Sequence, residues 1–220
     1  MLSKKLTSSK IFVIIYLVIK VGEIMDLFLK ATLAGFCIGI ACIIYLMCPN
    51  PIIGAALFGL GLMNLRLMGY PLYTGKVQTL TECEGASETL GGIGMLMLIF
   101  MANFAGIALA FCLGTWAIPG LAGLASTLAL NKLALGLLET FGRGILCGYL
   151  MTIATRSSTP LWMTPLCVFA FVYCGFNHSV ADSFYYMTQP YYNILPHLGI
   201  TWAGNLFGGV AAALLTPRQE

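Results

Sequence analysis

Apolar residues run through this 220-residue chain in six long windows, roughly 29–48, 52–73, 93–114, 133–155, 161–187 and 198–216, with polar residues gathered between them. A helix needs roughly 20 mainly apolar residues to cross about 30 Å of hydrocarbon at about 1.5 Å per residue. Each window therefore predicts one membrane-spanning helix. Two windows are interrupted. The second ends in "GYPLYTGK" (Gly69–Lys76), with Gly, Pro and Gly close together, and the fifth carries "YCGFNHSVADS" (Tyr173–Ser183). A continuous helix does not tolerate such residues cheaply. Irregular backbone at membrane depth is acceptable only where it is buried in protein or lines a wet cavity.

Composition agrees with the pattern. Hydrophobic residues make up 59% of the chain and charged residues 9%, against about 25% charged in soluble domains. Little chain remains for a soluble domain, so the expected class is an all-α polytopic membrane protein. Residues 1–26, with basic residues before the short apolar run Ile11–Ile19, predict an interfacial N-terminal segment. A single channel domain is expected over 27–217.

The basic residues predict the topology. Lys4, Lys5, Lys10, Lys20, Lys30, Lys76, Arg156 and Arg218 fall on one side of a six-span chain and Lys132 on the other. By the positive-inside rule both termini are cytoplasmic, in the cell membrane. The net charge of +3 thus follows topology and does not suggest a nucleic-acid partner. The eight cysteines show no CxxC spacing and suit packed helices better than a disulfide framework or a metal site. No G-x-S-x-G, HExxH or P-loop is present, which argues against an enzyme, and no cofactor is expected.

The halves echo each other. "GFCIG" (Gly35–Gly39) matches "GILCG" (Gly144–Gly148) 109 positions on, "GYPLYTGK" matches "GFNHSVAD" 106 on, and "NFAG" (Asn103–Gly106) matches "NLFG" (Asn205–Gly208) 102 on. These predict repeat one over about 27–114 and repeat two over about 133–216. Three spans per half is an odd number, so the repeats are inverted, and helices two and five break where their sequences do. Inverted repeats place a solute path near the midplane, where broken helices meet.

Several polar residues then become candidates. His178 is an intramembrane ionisable group whose charge can change between about pH 5 and 8; it is either a pore group or a histidine satisfied by a carbonyl at the break. Thr74 can bond His178, a passing solute or its own backbone. Lys132 either attracts anions at a pore mouth or snorkels to the interface. Arg66 can face the pore, pair with an acid or lie at a subunit contact. Arg143 follows Glu139 by one turn and predicts a local ion pair.

The motifs together resemble the formate/nitrite transporter family. "FNHSVAD" is similar to that family's F-E-H-S-V-A-N, "PLYTGK" to E-L-F-T-G-N, and "GRGILCG" to R-G-I-L-C-N. "AGFCIG", "FGLGL" (Phe58–Leu62) and "GNLFGG" follow in the same order, over about residues 26–216. The resemblance implies an aquaporin-like homopentamer with one pore per protomer, passing small monovalent anions such as formate, nitrite or hydrosulfide, or their weak acids. It further implies that His178 faces Thr74 at the pore centre. Phe58 and Phe171 form an outer constriction, and Leu62, Leu72, Tyr73 and Met151 an inner one. Lys132 is the vestibule lysine and Asn205 the polar residue near the inner gate. A pore of the same fold for a small neutral solute, or a non-conducting anion-binding protein, remains an alternative.

The departures from the family pattern carry information of their own. Pro71 and Asn177 replace two acids, Gly148 replaces an asparagine, and Lys76 and Asp182, 106 positions apart, replace two asparagines. A neutral pair has become a pair of opposite charges, which predicts a buried Lys76–Asp182 ion pair near the pseudo-twofold axis.

Overall fold

A computed structural model of the protein describes residues 8–216. Lys4, Lys5 and Arg218 of the basic flanks, and the last position of the 27–217 channel unit, lie outside the described residues. The described chain is all helical. The helices are α1 (Ser8–Met47), α2 (Pro51–Met68), α3 (Tyr73–Lys76), α4 (Ala86–Ala117), α5 (Leu121–Leu133), α6 (Leu137–Thr155), α7 (Met163–Tyr173), α8 (Ser179–Tyr186) and α9 (Tyr191–Leu215), with a 3-10 segment over Val77–Glu82. Lys20–Met47 of α1, with α2, α4 and α9, are each long and apolar enough to cross a membrane. Helix α6, diluted by Glu139 and Arg143, and the broken α7–α8 complete the six spans. The Glu139–Arg143 pair forms at 2.7 Å.

Helix α1 is continuous over 40 residues, about 60 Å at the usual rise, so from Ser8 onward the chain runs as one helix into the first span. Pairs one turn apart, Lys20–Glu23 at 3.4 Å and Asp26–Lys30 at 2.7 Å, carry the helix through the charged stretch. Helix α5 was not expected at all. It is bent 109° from α6, so it crosses the mouth of the bundle instead of extending the fourth span.

The outside is apolar, as lipid requires, and a cluster of polar residues lies buried within a mainly apolar core. Trp116, Leu138, Leu214 and Leu215 are exposed, whereas Thr74, Asn103, Asn177, His178, Ser179, Asp182 and Asn205 are buried. Within each half the first and third spans pack at backbone distance. A Cβ on Gly35 would strike the Asn103 carbonyl and one on Gly106 the Thr32 carbonyl; a Cβ on Gly148 would strike the Asn205 carbonyl and one on Gly208 the Ile145 carbonyl. Thr32 therefore corresponds to Ile145 and Gly35 to Gly148, 113 positions apart. The expected offset of 109 was one helical turn out, because a G-x-x-x-G motif overlaps itself when shifted by four.

The two breaks are built alike. Helix α2 ends at Gly69 (φ 67°), with the Tyr70 N–H donating to Leu65 O at 3.0 Å; α7 is followed by Gly175 (φ 68°), with the Phe176 N–H donating to Phe171 O at 2.9 Å. This is a Schellman stop, whose left-handed position favours glycine. It recurs at the 106-residue offset.

Candidate functional site: a broken-helix centre with cavities on either side

Each break leaves backbone groups that must find partners away from water. One asparagine per half supplies them. Asn103 Oδ1 accepts from the Tyr73 N–H at 2.9 Å, and its Nδ2 donates to Ala31 O at 2.7 Å and Pro71 O at 3.1 Å. Asn205 Oδ1 accepts from the Ser179 N–H at 2.8 Å, and its Nδ2 donates to Gly144 O and Asn177 O, both at 2.9 Å. Asn205 thus ties α6 and α9 to the start of α8, and it lines none of the three central cavities. Its amide is fully engaged in holding the break.

His178 is the N-cap of α8. Its Nδ1 accepts from the Ala181 N–H at 3.0 Å, so in the neutral ring the proton lies on Nε2. That nitrogen is 2.9 Å from Thr74 Oγ1 and donates to it. The contact joins the two broken helices across the repeat boundary. The imidazole also stacks on Phe171, with centroids 5.4 Å apart at 16°, and Phe171 meets Phe58 edge-on at 6.2 Å.

Three cavities follow one another through this centre. The one on the α5 side, about 40 Å³, is bordered by Tyr45, Phe58, Lys132, Phe171, His178 and Asp182. The middle one shares Phe58, Phe171 and His178 with it, adds Ile38, Leu62 and Met151, and is too narrow for a water molecule. The third, on the α3 side, about 140 Å³, is bordered by Leu62, Arg66, Leu72, Lys76 and Thr155. Shared walls order them: Phe58 and Phe171 separate the first two, and Leu62 the last two.

Tyr73 stands apart from this row. Its ring packs between Phe100 at 5.5 Å and Trp202 at 5.3 Å, and its hydroxyl donates to Trp202 O at 3.0 Å. Tyr73 therefore belongs to the α4–α9 side of the protomer. It borders none of the three cavities.

The expected Lys76–Asp182 pair is corrected. Asp182 is buried and pairs with Lys132 on the last turn of α5, Oδ1 to Nζ at 3.0 Å. Lys132 Nζ also donates to Phe176 O at 3.3 Å. Lys76 is exposed and borders the α3-side cavity. The physical reason lies in the inversion itself. A twofold axis in the membrane plane carries a position on one side of the midplane to the other side, so equivalent residues meet only close to the axis. Four positions past the breaks, the lysine and the aspartate have diverged to opposite cavities. The missed partner, Lys132, comes from the unexpected helix α5.

Arg66 also finds an unexpected role. Its guanidinium donates to Ala154 O at 3.3 Å, Thr164 Oγ1 at 2.9 Å, Arg156 O at 2.6 Å and Ser157 O at 3.4 Å, and to Thr159 O. Apart from the Thr164 hydroxyl of α7, these are the last carbonyls of α6 and the loop after it, acceptors that a helix end leaves without partners. Gly148 likewise faces Asn205 and borders none of the three cavities.

A family model described as "Formate/nitrite transporter" matches residues 18–218. The chain belongs to the formate/nitrite transporter family. It is 24% identical, over 89% of its own length and 85% of the relative's, to "Nitrite transporter NirC" of Salmonella typhimurium (strain LT2). A solved "Pentameric formate channel with formate bound" superposes with a TM-score of 0.73 at 19% identity, covering 86% of this chain and 94% of that one. An "FNT family ion channel" gives 0.70 at 19%, covering 87% and 86%. The six spans, paired breaks and inverted halves are thus the formate/nitrite transporter fold. Membership makes this a multi-pass membrane channel or transporter of the anion class, not an enzyme.

Proposed function

We propose that the protein passes a small monovalent weak acid of the formate, nitrite or hydrosulfide class through a pore in each protomer of a homopentamer. The path runs from the α5-side cavity, between Phe58 and Phe171, past His178 and Thr74, and between Leu62, Met151 and Leu72 into the α3-side cavity. The observation that carries this reading is the row of three cavities around His178. Lys20, Lys30, Lys76 and Arg156 support a cytoplasmic α3 side and cytoplasmic termini by the positive-inside rule, with the protein in the cell membrane. The pentamer rests on the relative described as a pentameric formate channel.

The chemistry favours passage as the undissociated acid. A bare anion in the narrow middle cavity would lose nearly all its water among apolar side chains, which is very costly. His178 offers one N–H there, on Nε2, and that N–H can pass from Thr74 to an acid's oxygen. A second proton on the ring would have to displace the Ala181 N–H from Nδ1 and so uncap α8. The histidine therefore acts as a neutral hydrogen-bonding station.

Formate uptake into proteoliposomes at about pH 5.5 and about pH 7.5 tests this, the interval over which histidine charge is otherwise expected to change. Saturable uptake that is faster in acid and competed by nitrite or hydrosulfide is the expected result. Uptake of urea or another neutral solute without formate would establish the neutral-solute pore instead. No flux of any of these, with retained formate binding, would mean a non-conducting binding protein.

A further inference from the structure

The two end cavities differ in charge. The α5-side cavity is bordered by one cation and one anion, Lys132 and Asp182, held together at 3.0 Å and both buried. A lysine paired in this way presents little net charge to an approaching solute. The α3-side cavity is bordered by two cations, Arg66 and Lys76, and by no carboxylate. The Arg66 N–H groups are occupied by Thr164 and the carbonyls of the α6 end, so it contributes charge but few free donors. Lys76 has both. It is exposed, and among the described residues its ammonium takes part in no ion pair. Glu82, the nearest acid along the chain, borders a separate cavity with Arg156.

We infer that the α3-side cavity, through Lys76 with the charge of Arg66 behind it, is where this pore gathers its anions, and that Asp182 has silenced the lysine at the opposite mouth. The inference rests on the weak-acid pathway proposed above. A mouth of one charge sign with apolar walls concentrates counter-ions and speeds their capture. The ligand class is a small monovalent anion that fits beside an ammonium and then takes a proton from the solvent of that cavity, leaving as the neutral acid for the narrow middle cavity. Because a passive pore obeys microscopic reversibility, such a mouth speeds low-concentration flux in both directions. Its directional signature is a lower KM from the α3 side.

The test uses the full chain in vesicles prepared right-side-out and inside-out from expressing cells. Formate flux is measured against concentration and ionic strength for wild type, Lys76→Gln, Lys76→Glu and Lys76→Arg. Lys76 is exposed, so these changes leave the packed core alone. The expected result is a fall of about threefold or more in subsaturating flux for Lys76→Gln, a larger fall for Lys76→Glu, and near wild-type behaviour for Lys76→Arg. The ionic-strength dependence of flux should flatten in Lys76→Gln, because screening acts on exposed charge. KM measured from the α3 side should be the lower of the two in wild type, and this difference should shrink in Lys76→Gln. Wild-type flux with unchanged rates, KM and salt dependence in all three variants would overturn the inference and leave the pathway standing. A wild type that carries no formate would instead remove the pathway, and the inference with it.

Discussion

His178 holds two bonds that do separate work, and substitution can divide them. Nδ1 accepts from the Ala181 N–H and caps α8, while Nε2 donates to Thr74 at the repeat boundary. Asparagine is a strong N-cap and too short to reproduce the imidazole's reach. His178→Asn should therefore keep most of the thermal stability of the purified protein while changing formate flux. His178→Ala should lose both, with about 1 kcal/mol of the stability loss assigned to the missing cap. Thermal unfolding in detergent and flux in proteoliposomes, measured on the same preparations, check the split. Equal stability losses in the two variants would mean that the cap does little for the fold. A histidine in an apolar window announced itself in the sequence. Its cap did not, because the bond depends on where Gly175 ends α7 and lets the chain turn.

At the scale of elements, the spans and their breaks were legible because each is written locally. Windows of apolar residues specify spans, and Gly69 and Gly175 occupy left-handed positions that glycine takes at no steric cost. Relations between elements were harder to read. The G-x-x-x-G motifs allowed two registers, and only the carbonyls of Asn103 and Asn205, seated on Gly35 and Gly148, decide between them. Helix α5 lacked the length of a span and so drew no attention, yet it supplies the partner of Asp182. Arg66 gave no sign in sequence that its acceptors would be carbonyls about 90 positions away. The register has a testable consequence. Gly148→Asn, which would restore the family's amide, should not restore a polar pore wall but drive α6 and α9 apart. Overpacking of this kind costs typically about 1–3 kcal/mol. A lowered melting temperature and a loss of assembled protein on size exclusion are expected, and a stable variant with altered anion preference would show that Gly148 does face the path.

The whole protomer sets two end cavities bordered by charged side chains against a dry middle, and the energy of an ion inside it follows from that layout. Phe58 and Phe171 close one end of the middle cavity and Leu62 the other, leaving too little room for water. Charge is disfavoured there whatever the end cavities attract, so the barrier should act on ionisation state more than on size. This separates weak-acid anions from strong-acid ones. Formate can shed its charge by taking a proton, and its undissociated fraction rises about tenfold for each pH unit lowered while the acid is mostly ionised; nitrate has no such route. Phe58→Ala should let water into the middle cavity without removing the Phe171 face on which His178 stacks. Its expected phenotype is a nitrate leak absent from wild type, together with a formate flux that depends less on pH. Both come from one experiment, in which paired formate and nitrate fluxes are followed across the acid-to-neutral range. A leak without the flattened pH profile would mean that protonation is required by a group other than the apolar walls. A flattened profile without a leak would place anion rejection elsewhere along the path.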